Sequence, residues 1–222
     1  MSLPALSLLE TRVLGVLVEK QHTVPDTYPL TLNALVAGCN QKTSRDPVLE
    51  ASEAEVQAAI DHLIGLTLVV ESSGGRVMRY AHNVGRVLNV PTQAVALLTT
   101  IMLRGPQTVA ELRTHSERLH RFADISSVEG FLDELAQRPA GPLVVELPRQ
   151  PGARETRWAH LLSGAPALPA ADAAATAADP AERVSLGELA ALRAEVAGLK
   201  AELAALRTIV ERVTAELGIG GG

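Results

Sequence analysis

The sequence predicts a mainly α fold with small β-ribbons: two tandem winged-helix domains followed by a C-terminal coiled-coil helix. Three observations carry this expectation. A pattern of three helices and a two-stranded ribbon occurs twice along the chain. Leu68-Val69-Val70-Glu71 recurs as Leu143-Val144-Val145-Glu146, and Arg79-Tyr80-Ala81-His82 recurs as Arg157-Trp158-Ala159-His160, in the same order. Near the C-terminus, aliphatic residues return at heptad spacing over about four heptads, the signature of a coiled coil.

The first domain is read over residues 1–88. Leu6, Leu9, Val13 and Leu17 fall at helical spacing and predict an amphipathic helix over 6–18. Pro25 and Pro29 break the pattern, and a second helix fits 30–39. A polar loop over 40–47 follows. Ser52 with Glu55 forms a capping box that opens a third helix, burying Val56, Ala59, Ile60 and Leu63. A strand over 68–71, the turn signal Ser73-Gly74-Gly75 and a return strand over 77–82 complete the ribbon.

The second domain is read over residues 89–164. A helix over 91–103 places Val95, Leu98 and Met102 on one face. Thr108 opens a helix over 109–119. Ser126 with Glu129 reads as a further capping box, ahead of a face made by Val128, Phe131, Leu132 and Leu135. Strands over 143–146 and 157–160 enclose a longer wing tip. The Ala/Pro-rich stretch 165–184 has neither helical nor strand periodicity and reads as a flexible linker.

Residues 185–218 carry the heptad. Position a holds Leu189, Val196, Leu203, Val210 and Leu217, and position d holds Leu192, Leu199, Leu206 and Val213. Position g holds Glu188, Glu195 and Glu202, while e holds Arg193, Lys200 and Arg207. In a parallel pair each g faces an e of opposite charge, whereas an antiparallel pair sets Glu against Glu. Exposed ion pairs contribute only about 0.2–1 kcal/mol each, yet attraction against repulsion decides direction. The expected partner is therefore a second copy, in a parallel homodimer. No Asn occupies an a position to enforce two strands, so a trimer stays open, as does a helix folded back on its own domains.

Composition narrows the function. The 222 residues are 47% hydrophobic and only 2% aromatic, which argues against single-strand nucleic-acid platforms that stack bases on aromatic rings. The net charge of −5 argues mildly against non-specific DNA binding. Cys39 is the sole cysteine and sits in an apolar helical stretch, as a small buried thiol would. There is no leader-like start and no apolar run of about 18 residues, so a soluble cytoplasmic protein without membrane contact is expected.

No Gly-rich phosphate loop, Cys/His metal spacing or nucleophile–base pairing is found. His115 and His120 fall on different helical faces, and His82 and His160 occupy equivalent ribbon ends where a structural role is expected. The chain is accordingly not read as an enzyme, with no catalytic residue, cofactor or metal.

Double-stranded DNA is the partner that a winged helix suggests, usually through its third helix in the major groove. Here the third helices carry Glu53, Glu55, Gln57, Asp61 and His62 in one repeat, and Glu129, Asp133 and Glu134 in the other. Neither contains Arg or Lys, and carboxylates repel phosphates. Basic residues gather instead in loops and wings, including Arg76, Arg79, Arg113 and Arg157. The expected phosphate contacts are Lys42, Arg45, Arg118, Arg121, Arg149 and Arg154. The alternatives are a solvated, ion-paired surface and a protein–protein adaptor that makes no DNA contact.

Long specific stretches point to a family. These are Leu9-Glu10-Thr11-Arg12-Val13-Leu14-Gly15-Val16-Leu17-Val18-Glu19-Lys20, Tyr28-Pro29-Leu30-Thr31-Leu32-Asn33-Ala34-Leu35, Cys39-Asn40-Gln41-Lys42 and Arg45-Asp46-Pro47-Val48. Further along come Leu103-Arg104-Gly105-Pro106-Gln107-Thr108, Ser116-Glu117-Arg118-Leu119-His120-Arg121-Phe122-Ala123-Asp124 and Leu147-Pro148-Arg149-Gln150-Pro151-Gly152. In these the chain resembles the YceH-like family of uncharacterised bacterial proteins, over about the first 164 residues. The resemblance implies a tandem winged-helix fold and carries no biochemical role. The loops 40–48 and 116–124 become the candidate surfaces. The other reading is that structure fixes them, with Asp46 or Asp124 capping and Arg45 or Arg118 in buried pairs. The leading functional expectation is a dimeric DNA-binding protein with a regulatory role.

Overall fold

Side-chain caps set where most of the α-helices begin, those starting at Val84 and Thr92 being the exceptions. A computed structural model describes residues 3–73, 77–150 and 152–166. Ser7 and Glu10 form a reciprocal capping box, the Ser7 N–H donating to Glu10 Oε2 at 2.6 Å, and α1 runs from Leu8 to Thr23. Thr31 caps α2, Leu32–Cys39, through the Ala34 N–H. Ser52 and Glu55 box the start of α3, Glu53–Gly65, whose buried face is Val56, Ala59, Ile60 and Leu63 as expected. The ribbon pairs β1, Val69–Ser73, with β2, Met78–His82. A short helix α4, Val84–Leu88, was not anticipated; it precedes α5, Thr92–Arg104.

The second repeat follows the same order with α6, Val109–His115, α7, Ile125–Ala136, β3, Val144–Leu147, and β4, Arg157–His160. Two details differ from expectation. The helix after Thr108 ends at His115 rather than near Leu119. The cap of α7 is Asp124, which accepts from the Ser127 N–H at 2.7 Å, and not Ser126 with Glu129. A carboxylate accepts this bond more strongly than a hydroxyl, so the helix starts two residues earlier. Phe131 is only half-buried on the α7 face, beside fully buried Val128, Leu132 and Leu135.

The repeat is visible bond by bond. Val69 pairs with His82 and Glu71 with Tyr80; Val144 pairs with His160 and Glu146 with Trp158. Each ribbon gains a third edge from the residue just before a capping threonine: Leu30 bridges Tyr80, and Gln107 bridges Trp158. One arginine in each return strand then locks the preceding proline. Arg79 donates to the Pro29 carbonyl at 2.8 Å and Arg157 to the Pro106 carbonyl at 2.9 Å. These two wing arginines therefore tie the ribbon to the second helix of their own repeat.

The two repeats meet through their first helices. The amphipathic reading of residues 6–18 underestimates the burial: Glu10 to Val18 are buried without a break, and so are Ala94 to Leu103 of α5. A helix that is buried all round has neighbours on every side. Here α1 packs against α2 and α3 of its own repeat and against α5 of the other. Gly15 marks the closest approach, because a Cβ there would sit 2.8 Å from Leu103 Cδ2. The Leu6 N–H donates to the Leu162 carbonyl at 2.8 Å, joining the start of the first repeat to the end of the second. The linker expectation beyond residue 166 and the whole heptad from Leu189 to Leu217 lie outside the described residues.

His82 and His160 occupy matching positions, and the Nδ1 of each is buried without a partner. Burial pushes both imidazoles down to about 4, with the charge of His22 adding to the effect at His82. A folded-state value below the unfolded one means that the unfolded chain binds protons first as pH falls. Stability is then fully present above about pH 6.5 and declines towards pH 4, each histidine contributing up to roughly 1.4 kcal/mol per pH unit. Urea unfolding between pH 7 and pH 5 should show this decline, and His82→Gln with His160→Gln should flatten it. An unchanged slope in the double variant would contradict the assignment.

Candidate functional site

The segment 38–47 is pinned from inside by two buried arginines. Arg12 projects from the middle of α1 and donates to the Cys39 carbonyl at 3.1 Å and to the Pro47 carbonyl at 2.6 Å. Its Nε is buried without a partner. Burial, and then the charge of Arg45, draw its guanidinium below the ordinary value. Arg45 donates through Nε to the Gly38 carbonyl at 3.2 Å and through both Nη atoms to Glu19, at 3.1 and 2.5 Å. Asn40 closes the far side of the loop with a reciprocal pair to the Ala51 backbone, both bonds 2.8 Å. Cys39 lies beneath, and burial pushes its thiol up to about 11, in keeping with the expected buried thiol.

Arg45 is therefore withdrawn from the expected DNA contacts. Its side chain has no exposed surface, and its charge is spent on Glu19 in a bidentate pair. A phosphate could reach it only by dismantling the loop.

The pinned loop also docks on the other repeat. The Asp46 N–H donates to the Leu103 carbonyl at 2.8 Å, and Arg104 donates to Ser44 Oγ at 2.8 Å. Gly105 follows at φ 71°, a conformation that glycine adopts without strain, and a Cβ there would lie 3.3 Å from Asp46 Oδ2. Between this loop and the end of α6 runs a cleft of about 490 Å³. Gln41, Thr43 and Ser44 line one side; Thr114, His115, Glu117 and Arg118 line the other; Glu19, Lys20 and Arg104 lie between them in the chain fold.

The two candidate surfaces thus face each other across one cleft, an arrangement that spacing alone does not reveal. Lys20 and Arg104 were not singled out as functional. The signal was present, since each sits inside a motif stretch that carried the resemblance. His115 belongs to the cleft as well. Its Nδ1 contacts Gln107 Oε1, and Gln107 uses its amide nitrogen on the Thr100 and Gly105 carbonyls. The oxygen can only accept, so His115 carries its proton on Nδ1 and leaves Nε2 as an acceptor. Burial, then the charge of Arg104, lower its pKa.

The remaining expected contacts are exposed. Lys42, Arg118, Arg149 and Arg154 are exposed and make no hydrogen bond or ion pair among the described residues. Arg121 is 87% exposed and lies 3.8 Å from Glu117, an i,i+4 surface pair of little strength. Arg149 and Arg154 line a second depression at the beginnings of α6 and α7, together with Val109, Ala110, Ile125 and the carboxylates Glu129 and Glu155. The acidic third helices are confirmed as exposed surface: Glu53, Glu55 and Asp61 on α3, and Glu129, Asp133 and Glu134 on α7.

The comparisons with known proteins agree on one family. The family described as "Protein of unknown function, DUF480" matches residues 6–153. The chain is 61% identical over 211 residues to a UPF0502 protein of Leptothrix cholodnii, covering 95% of each chain. It is 61% identical over 218 residues to a UPF0502 protein of Methylibium petroleiphilum, covering 98% of this chain and 92% of that one. A UPF0502 protein of Burkholderia orbicola is 60% identical over the same coverage. No helix among the described residues is long and apolar enough to cross a membrane.

The contrast between Arg45 and Lys42 gives a direct test of which loop residues hold structure. Arg45→Gln strands Glu19 and the Gly38 carbonyl and should cost roughly 2–4 kcal/mol in urea unfolding. Lys42→Gln, three residues away and exposed, should stay within about 0.5 kcal/mol. Equal effects would show that Arg45 does not anchor the loop.

Proposed function

The chain belongs to the DUF480 family of bacterial proteins, also represented by the UPF0502 proteins, and on that footing we propose that it is a cytoplasmic DNA-binding protein with a regulatory role rather than an enzyme. The observation that carries this reading is the disposition of exposed positive charge around α6. Arg118 and Arg121 follow its C-terminal end, with Lys42 on the loop across the cleft, while Arg149 and Arg154 lie by its N-terminal end. A helix of this length spans about 10 Å, close to the roughly 12 Å width of a major groove. Two such groups can meet phosphates on the two strands of one duplex. The exposed acidic faces of α3 and α7 keep those helices away from the backbone, so binding comes from loops and the second wing.

The heptad from Leu189 to Leu217 would join two copies in a parallel dimer, raising the effective concentration of the second module once the first is bound. An adaptor is the second reading. It is favoured by those acidic faces and by Val70, Val77 and Met78, which stand exposed on the first ribbon at 52%, 57% and 39%.

Fluorescence anisotropy against a mixed-sequence duplex, titrated with salt, tests the DNA reading. Affinity should fall linearly in log salt, and Arg118→Ala with Arg121→Ala should reduce the slope by about 2. No binding at low salt would contradict it and favour the adaptor.

A further inference from the structure

We propose that the cleft between the two repeats is a binding site for a small phosphate-bearing metabolite. This goes beyond the DNA reading and stands without it, because Lys20, Arg104, Thr43 and Ser44 take no part in that reading and only Arg118 is common to both. At about 490 Å³ the cleft is in the range of small-molecule sites and far too small to admit a duplex.

The charge inside it is positive. Lys20, Arg104 and Arg118 contribute three cations against the two carboxylates of Glu19 and Glu117, and Glu19 is already engaged. Glu19 is held by Arg45 at 2.5 Å, with Lys20 Nζ at 3.6 Å, while Glu117 is largely exposed and only weakly paired with Arg121 at 3.8 Å. Arg104 is half-buried, and burial draws its guanidinium below the ordinary value, so an anion that neutralises it relieves a desolvation cost.

The polar complement suits phosphate. Ser44 accepts from Arg104 and Thr43 from Gln41, which leaves both hydroxyl protons free to donate to ligand oxygens. Guanidinium groups bind tetrahedral oxyanions through paired N–H bonds, and one group on each side gives a clamp. Arg104 belongs to the second repeat, yet its bond to Ser44 fixes it beside the loop of the first. The clamp is also pre-organised, because Arg12 and Arg45 hold that loop before any ligand arrives. Arg118 is shared with the proposed duplex surface, so a ligand in the cleft would compete with DNA for it.

Isothermal titration of the full chain with inorganic pyrophosphate, at constant ionic strength, tests this. One site per chain is expected. Arg104→Gln and Arg118→Gln should each weaken binding about tenfold or more. Arg86→Gln, which removes an exposed charge on α4, should leave it unchanged. Arg118 makes no bond within the described residues, so its variant reports even if Arg104→Gln fails to fold. Absence of saturable heat at millimolar pyrophosphate would overturn the proposal, as would equal loss in Arg86→Gln, which marks diffuse charge attraction. If pyrophosphate fails while the duplex binds, the cleft inference falls alone.

Discussion

The packing of α1 against α5 is the constraint on which the rest depends. Each helix is the first of its repeat, and each is buried on more than one face. Neither repeat can bury its own first helix completely, and the exposed remainder of one is complementary to that of the other. Gly15 lets the two backbones approach, with Leu103 filling the space a side chain would take. Their contact brings the loop after α2 onto the end of α5. Asp46 and Ser44 then bond across the junction. The cleft is a consequence of this docking.

Much of the architecture was legible because it depends on local chemistry. The boxes at Ser52 and Glu55, the buried stripe of α3 and the matching ribbons all follow from spacing and short-range bonding. The misses have two origins, one local and one tertiary. The cap of α7 was misplaced because two acceptor residues, Asp124 and Ser126, compete within three positions, and the carboxylate wins. The burial of α1 was underestimated because periodicity reports one face, while a second is covered by a helix some eighty residues away. Of the two readings of Arg45, a phosphate contact and a buried pair, the structure bears out the second, although the sequence does not name its partner. Its partner Glu19 lies on another helix, and no pattern in sequence announces a pairing across 26 positions.

The candidate site was half legible. The loops 40–48 and 116–124 were recognised as unusual, and the structure shows two different reasons. The first loop is unusual largely because it is built around buried Arg12 and Arg45. The second keeps Arg118 and Arg121 exposed. Structural arginines and free arginines are indistinguishable in composition, so a count of basic residues overstates the surface open to a partner. Arg79 and Arg157 illustrate the same point, since each is spent on a proline carbonyl. Among the described residues, Lys42, Arg118, Arg149 and Arg154 are exposed without a bond, and with Arg121 they bear the proposed function.

Packed through their first helices, the two repeats should unfold as one cooperative unit. Trp158 is the sole tryptophan and belongs to the second repeat, so its fluorescence reports that repeat alone. Leu35 is fully buried in the first repeat. Leu35→Ala should cost roughly 2–5 kcal/mol. If the repeats unfold together, the urea midpoint read from Trp158 will fall with the midpoint read from helix content. A Trp158 transition left where it was, while the first repeat unfolds early, would contradict the account.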